Sequence, residues 1–204
     1  MTEIADVLVI GGKIVRVGQR LLEKMRLDNF TRVINATGKY VMPGGIDPHT
    51  HLHFDVGGMV SHDDYLSGQS AALAGGTTMT MDFVMPTNGS YIKGLEAYFK
   101  NAEVAVTDYG FHAQIIFWNQ TVSDELEIMV KEYGMNSFKF FQALDFMIRD
   151  DQMLEGFEKC KSLGAIAMLH AENGDSVTHE QKKLLALGVT SVKGHPLSRP
   201  PFVC

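Results

Sequence analysis

Two histidines lie two residues apart at the end of a short apolar run. His49 and His51 stand in the sequence VMPGGIDPHTH, residues 41–51. Because side chains at positions i and i+2 of a strand point to the same face, both imidazoles could bind one metal ion from a single strand. Imidazole is a common ligand of zinc, and a catalytic zinc site needs only about three protein ligands. The alternative is a surface strand that carries histidines without function, because His53 continues the same alternation.

A lysine lies between phenylalanines in a second apolar run. Lys139 stands in SFKFF, residues 137–141. An ammonium group is costly on a buried strand face, so one interpretation is a lysine that extends to water from the strand's edge. The other is a carbamate, formed when CO2 adds to the amine, which would bridge two divalent ions. Two such ions lower the pKa of a shared water molecule and generate hydroxide near neutral pH.

The elements that must position these residues alternate between strand and helix after residue 44. Apolar or β-rich runs lie at 45–51, 77–85, 111–118, 137–141 and 165–170. Helix-like segments lie between or after them, at 63–74, 91–104, 123–133, 151–163 and 176–187. Strands separated by such helices indicate βαβ units and a parallel sheet.

Two parallel architectures fit this alternation. A doubly wound sheet often carries a glycine-rich phosphate loop after its first strand, whereas Gly44 and Gly45 precede that strand here. A (β/α)8 barrel places its chemistry at the C-terminal ends of several strands. His49 and His51 end the first predicted strand, and His170 ends the fifth. We therefore predict an α/β fold, a partial (β/α)8 TIM barrel of about five βα units.

Residues 1–44 have a different pattern. Short β-type runs at 7–10, 14–17, 32–35 and 40–42 are separated by glycines. They predict a small antiparallel sheet with little helix. We therefore divide the chain into a small β domain, residues 1–44, and a barrel domain, residues 45–204.

Composition excludes several classes of function. The chain has 204 residues, 45% of them hydrophobic, and a net charge of −6 without long runs of one sign. Such a chain is globular, and nothing in it indicates binding to nucleic acid or to an anionic membrane. Its two cysteines make no disulfide framework, its acidic start is unlike a signal peptide, and no run could span a bilayer. We expect a cytoplasmic protein.

Four motifs occur in order along the chain: PGGIDPHTH at 43–51, GGTT at 75–78, SFKFF at 137–141 and HAENGD at 170–175. Together they resemble the dihydropyrimidinase and hydantoinase family of the amidohydrolase superfamily over nearly the whole chain. The resemblance implies hydrolytic opening of a small cyclic amide in pyrimidine catabolism. The substrates would be 5,6-dihydrouracil, dihydrothymine or hydantoins, and the products N-carbamoyl amino acids.

The same resemblance implies a cofactor and an assembly. His49 and His51 would bind one zinc ion, His170 would bind a second, and carboxylated Lys139 would bridge the two ions. Residues 1–44 would be the N-terminal part of the family's small β-sandwich domain. The full-length protein would be a homotetramer.

Two departures from the family pattern leave no catalytic residue assigned. The family's barrel has eight strands and takes about 250 residues. The proton-transfer aspartate and a further zinc-binding histidine would therefore lie beyond Cys204, and we expect this chain to be inactive alone. The family usually has an oxyanion-stabilising tyrosine five residues after the lysine, where Leu144 stands here. Loss of one such donor lowers the rate by about 100- to 1,000-fold.

Two alternative functions stay open. One is a non-catalytic adaptor related to dihydropyrimidinase, although retention of all four ligand positions favours an enzyme. The other is a different cyclic amidohydrolase such as allantoinase, which shares the metal ligands.

Residues near the ligands have lesser roles to consider. Asp47 and Asp82 could orient the histidines or act as ordinary hydrogen-bond partners. Glu172 and Asn173 could shape the loop after His170, and His112 is expected to be structural or to face solvent.

Overall fold

The computed structural model describes residues 4–56 and 58–203. The chain divides into two compact units, Met1–Met42 and Pro43–Cys204.

The described part of the first unit contains a β-hairpin. Strands β1 (Asp6–Ile10) and β2 (Lys13–Gly18) pair antiparallel. The intervening Gly11 and Gly12 have positive φ angles of 58° and 76°, the backbone that a tight two-residue hairpin turn requires. A short 3-10 helix follows at Leu22–Lys24.

The prediction of two further strands in this unit is wrong. The runs at 32–35 and 40–42 have no regular secondary structure. A β-type run forms a strand only where a neighbouring strand completes its backbone hydrogen bonds. In the described part of this unit, β1 and β2 are the strands that pair.

The second unit is built on a parallel sheet of five strands. They are β3 (Gly45–Thr50), β6 (Thr77–Val84), β7 (Asp108–Gln114), β8 (Ser137–Phe141) and β9 (Ile166–His170), paired in that sequential order. Strands β4 (Asp55–Val56) and β5 (Met59–Val60) form a separate antiparallel pair. Sequential parallel pairing is the order of a (β/α) barrel, and the five predicted βα units are confirmed.

Helices follow each strand of the sheet. They are α1 (Tyr65–Ala74), α2 (Tyr91–Asn101), α3 (Gln120–Tyr133), α4 (Asp150–Leu163), α5 (Gly174–Ala186) and the short α6 (Gly194–Leu197), with 3-10 turns at Ala102–Val104 and Pro201–Val203. Four of these helices begin with a capping side chain that accepts a hydrogen bond from a backbone N–H of the first turn. The capping residues are Asp64, Ser90, Asn119 and Asn173. None of the helices in the described ranges is long and apolar enough to cross a membrane.

The third strand of the sheet lies earlier in the chain than predicted. It covers Asp108–Gln114 rather than 111–118, so Phe117 and Trp118 lie in the following loop. Both side chains still pack against the hydrophobic core. A packed loop and a buried strand give the same apolar run, which explains the error.

The core lies between the sheet and the helices, and β8 shows how this places Lys139. Phe138 and Phe140 are fully buried, and the ring of Phe140 lies 5.1 Å from that of Phe157 in α4. Successive side chains of a strand point to opposite faces. Lys139 therefore lies on the face of the sheet that points away from the helices.

Candidate metal centre

The strand register places two predicted ligands on one face of the sheet. Lys139 pairs with Gln114 of β7, and Phe141 pairs with His170 of β9. Residues in register on neighbouring strands share a face, and so do positions i and i+2 of one strand. Lys139 and His170 consequently lie on the same face.

The two histidines of the first motif lie beside this lysine. The ring centroids of His49 and His51 are 5.2 Å apart, and Nζ of Lys139 lies 3.4 Å from Nε2 of His49. The pairing of β3 with β6 shifts by one residue between Asp47 and Thr50, around Pro48, which has no N–H to pair. Three of the four predicted ligands are therefore brought together.

Phe83 of β6 forms the apolar contact shared by this cluster. Its ring centroid is 4.5 Å from that of His49 and 5.2 Å from that of His51. Nζ of Lys139 lies 4.7 Å from the same centroid, and 5.4 Å from that of Phe141. The amine and both imidazoles thus lie against aromatic surface, with Lys139 and His51 half-buried and His49 exposed.

This setting favours the uncharged forms of the three groups. Burial lowers the pKa of Lys139. Burial also lowers the pKa of His49 and of His51, and each is lowered further by a neighbouring positive charge, from Lys139 and from His49 respectively. Neutral imidazole is the form that binds metal.

His51 has an unpaired nitrogen. Its Nδ1 atom is buried, and no described residue offers it a hydrogen-bond partner. Buried polar atoms without a partner are rare in folded proteins, so such an atom indicates that something else occupies its lone pair or its proton.

His170 lies at the end of β9 and is linked to the cluster through Phe141. The two rings stack with centroids 6.1 Å apart. Nε2 of His170 lies 2.8 Å from Oε2 of Glu172, and Nε of Arg199 forms an ion pair with Oε1 of the same carboxylate at 3.0 Å. The pKa of Glu172 is lowered, chiefly by the hydrogen bond from His170 and also by the charge of Arg199.

Arg199 was not predicted as a site residue. It follows α6 and approaches His170 only through the fold. No local pattern in the sequence links it to the HAENGD motif.

Asp82 contacts the backbone and Thr50 of the histidine segment. One prediction for Asp82 was that it orients the imidazoles, and its contacts act on them only through this segment. Its buried carboxylate accepts hydrogen bonds from Oγ1 of Thr50 at 2.7 Å and from the backbone N–H of Leu52 at 3.0 Å. Thr50 points away from the two histidines that flank it. Anchoring this residue on one face therefore directs the imidazoles to the other. Asp47 accepts from the backbone N–H of His49.

His112 has the contacts of a structural histidine. It is buried, and its Nε2 lies 3.0 Å from the carbonyl oxygen of Pro48, while its Nδ1 contacts the hydroxyl of Ser137. Because a carbonyl can only accept, Nε2 carries the proton and Nδ1 accepts from Ser137. These contacts join β7 to β8 and to β3.

Leu144 lies in the loop after β8 with its backbone in the left-handed region. Its φ angle is 69° and its side chain is about half exposed. A left-handed backbone is unfavourable by about 1–2 kcal/mol for a residue other than glycine. An aliphatic side chain at this position has no oxyanion donor to offer.

Within the described residues, no group of three or more His, Cys, Asp and Glu side chains is arranged to hold a metal ion. Among the described residues, Lys139 is the side chain beside His49 and His51 that could act as a third ligand. Lysine can fill that role only as an uncharged amine or as a carboxylate.

The chain is similar in sequence to known enzymes. The Amidohydrolase family matches residues 40–199. A dihydropyrimidinase of Arabidopsis thaliana is 52% identical over 203 residues, which are 98% of this chain and 38% of the relative. A D-hydantoinase of Geobacillus stearothermophilus is 43% identical over 201 residues, 97% of this chain and 42% of the relative.

Solved structures agree with these relatives. A D-hydantoinase from a Bacillus species is 40% identical with a TM-score of 0.87, over 98% of this chain and 43% of that one. A dihydropyrimidinase from Brevibacillus agri is 39% identical with a TM-score of 0.88, over the same shares of the two chains. The predicted fold class is confirmed. The chain spans about two fifths of the length of the relatives it matches, and their enzyme names give no support to the adaptor alternative.

Proposed function

Because the chain belongs to the amidohydrolase family, we propose that it serves the metal-dependent hydrolysis of cyclic amides. The names of its relatives support dihydropyrimidines, such as 5,6-dihydrouracil and dihydrothymine, and hydantoins as substrates. Water would open the ring at an amide C–N bond and yield an N-carbamoyl amino acid. The observation that carries the proposal is the contact between Nζ of Lys139 and Nε2 of His49, beside His51.

The residues present fit two zinc ions. His49 and His51 supply neutral imidazoles for the first ion, and Nδ1 of His51 is a buried nitrogen without a partner. His170 supplies one ligand for the second ion. When bound, the ions would lower the pKa of a water molecule and polarise the amide carbonyl.

Lys139 would join the two positions as a carbamate. Its pKa is lowered by burial, so a larger fraction of its amine is neutral at a given pH than for a lysine in water. The neutral nitrogen attacks the carbon of CO2, forms an N–C bond and loses one proton. The product is a carboxylate, which replaces a cation by an anionic metal ligand.

The carbamate gives the sharpest test of this proposal. The purified chain is equilibrated with zinc and 13C-labelled bicarbonate and observed by 13C NMR. We expect one carbamate signal, which is lost in Lys139→Arg and kept in Lys100→Arg, a change at an exposed position of α2. Metal analysis of the same samples should give zinc bound to the chain and to the control, and less in Lys139→Arg.

The opposite result would reject the proposed centre. A wild-type chain without a carbamate signal and with less than one zinc ion would do so. Loss of the signal in Lys100→Arg as well as in Lys139→Arg would assign the carbamate to another amine.

The proposal also covers the domains, the assembly and the cellular location of the protein. We propose a small β-sandwich domain to which residues 1–44 contribute, a barrel domain from residue 45, a homotetramer at full length and a cytoplasmic location. The family resemblance supports the assembly, and the absence of a cysteine framework supports a reducing compartment. Sedimentation velocity of the full-length protein tests the tetramer.

A further inference from the structure

Three side chains form a continuous polar chain at the end of β9. Nε2 of His170 contacts one oxygen of Glu172 at 2.8 Å, and Nε of Arg199 contacts the other at 3.0 Å. The side chains of Glu172 and Arg199 are each only 18% exposed. Both oxygens of a largely shielded carboxylate are therefore engaged, one by a cation and one by the imidazole.

We propose that Glu172 and Arg199 are a positioning pair that holds His170 in the tautomer with its proton on Nε2, so that Nδ1 is the nitrogen that binds metal. The inference rests on the proposed function in one respect, since that function makes His170 a metal ligand. The tautomer itself is a property of the chain without metal.

The assignment of the proton follows from hydrogen-bonding capacity. An ionised carboxylate only accepts, so the contact at 2.8 Å requires a proton on Nε2 of His170. A neutral imidazole has one ring proton, which leaves Nδ1 with a free lone pair. In the described residues, Nδ1 of His170 has no hydrogen-bond partner that would compete for this lone pair.

Arg199 holds the carboxylate in its orientation. Its Nη1 atom donates to Oγ of Ser198 at 2.9 Å and to the carbonyl oxygen of His195 at 3.3 Å, so the guanidinium is tied to its own turn of the chain. With Nε 3.0 Å from Oε1, Glu172 cannot turn without breaking this ion pair. The carboxylate is thereby kept directed at His170.

Phe141 restricts the ring of His170 from another side. The two rings lie nearly parallel, with an interplanar angle of 20°. Rotation of the imidazole about its Cβ–Cγ bond would break both this stacking and the bond to Glu172. A hydrogen bond to a carboxylate on the non-ligating nitrogen is the usual way in which proteins orient metal-binding histidines.

The tautomer can be read directly by NMR. The full chain is labelled with 15N-histidine, freed of metal, and examined by long-range 1H–15N correlation. His170→Gln assigns the resonances of His170. We expect the Nε2–H pattern in the wild type and a mixture of tautomers in Glu172→Gln, because the Gln amide can donate as well as accept.

A matched variant separates this role from a general loss of charge. Glu180→Gln removes a carboxylate of α5 that pairs with Lys183 instead of a histidine. We expect it to keep the wild-type tautomer, and Arg199→Met to shift the tautomer in the same direction as Glu172→Gln. Titration with zinc alone should then move the Nδ1 resonance of His170 and show an affinity about 10- to 100-fold lower in Glu172→Gln than in Glu180→Gln.

Either of two results would overturn the inference. One is the Nδ1–H tautomer of His170 in the wild type, and the other is the same tautomer in the wild type and in Glu172→Gln. If the wild type keeps Nε2–H, loses it in Glu172→Gln and yet binds no zinc, the positioning pair stands and the proposed metal centre fails. The two ideas therefore fail on different readouts.

Discussion

Burial shifts three histidines in and beside the candidate centre towards their uncharged forms. His49, His51 and His112 have lowered pKa values, and burial is the first cause for each. In the unfolded chain each histidine would take up a proton near its ordinary pKa of 6.5, whereas in the fold it stays neutral to lower pH. The unfolded state then binds more protons, and stability falls as the pH falls.

We therefore expect the free energy of unfolding to decrease as the pH is lowered through 6.5, by at most about 1.4 kcal/mol per pH unit for each histidine. Partial exposure makes the real slope smaller. Denaturant titrations at a series of pH values measure it. His51→Gln should give a shallower slope, and His179→Gln, at an exposed position of α5, is the control that should follow the wild type. An unchanged slope in His51→Gln would contradict the assignment.

The histidines of the first motif are not equivalent. His53 continues the alternation of His49 and His51 in the sequence, but the strand ends at Thr50 and His53 is exposed with a φ angle of 51°. The alternation therefore breaks where β3 stops, and the side chain of His53 lies outside the cluster around Phe83.

His51→Ala should consequently weaken zinc binding by more than the about 10- to 100-fold that loss of an outer partner produces, because it removes a ligand itself. His53→Ala should bind zinc like the wild type. Competition with a chromogenic chelator measures both affinities. Equal losses in the two variants would mean that the centre is not the one described here.

At the scale of elements, the paired strands β3 and β6 together position the histidines. Asp82 of β6 accepts from Thr50 and from the backbone after it, across the pair Thr50–Asp82. The carboxylate lies on the helix side of the sheet, and the imidazoles lie on the other side against Phe83. The histidine segment is thus held by hydrogen bonds on the helix side of the sheet, and these bonds do not involve the imidazole rings.

Asp82→Asn should leave the shape of this contact and weaken it, since an amide accepts less strongly than a carboxylate and brings donors of its own. We expect a loss of about 1–3 kcal/mol in the free energy of unfolding, together with weaker zinc binding. Asp108→Asn, at the exposed start of β7, should change neither quantity. A stability loss with unchanged zinc affinity would show that Asp82 serves the fold alone.

An element could be predicted from the sequence where the pattern that specifies it lies within its own segment. The five βα units were predicted because period, length and turn residues all lie within each segment. The runs at 32–35 and 40–42 were mispredicted because a strand also needs a partner, which local pattern does not supply. Arg199 was missed for the same reason, as its contact with Glu172 depends on how the chain after α5 returns to the end of β9.

At the scale of the whole second unit, the candidate ligands tie distant parts of the sheet together. They come from β3 and the residue that follows it, from β8 and from β9, the first, fourth and fifth strands in the pairing order. The first ion would have His49, His51 and the carbamate of Lys139, whereas the second would have that carbamate and His170. Unequal ligand numbers imply unequal affinities, and both positions depend on the carbamate.

Zinc should therefore stabilise the fold more strongly when CO2 is available. A ligand that binds the folded state alone adds about 2.7 kcal/mol at a free concentration 100 times its Kd. We expect zinc with bicarbonate to raise the Tm of the chain, degassed buffer to reduce the shift, and Lys139→Met to remove its bicarbonate dependence. Zinc titration should resolve one tight and one weaker site. A Tm shift independent of bicarbonate would mean that zinc binds without the lysine, and the centre would then reduce to an imidazole pair on β3.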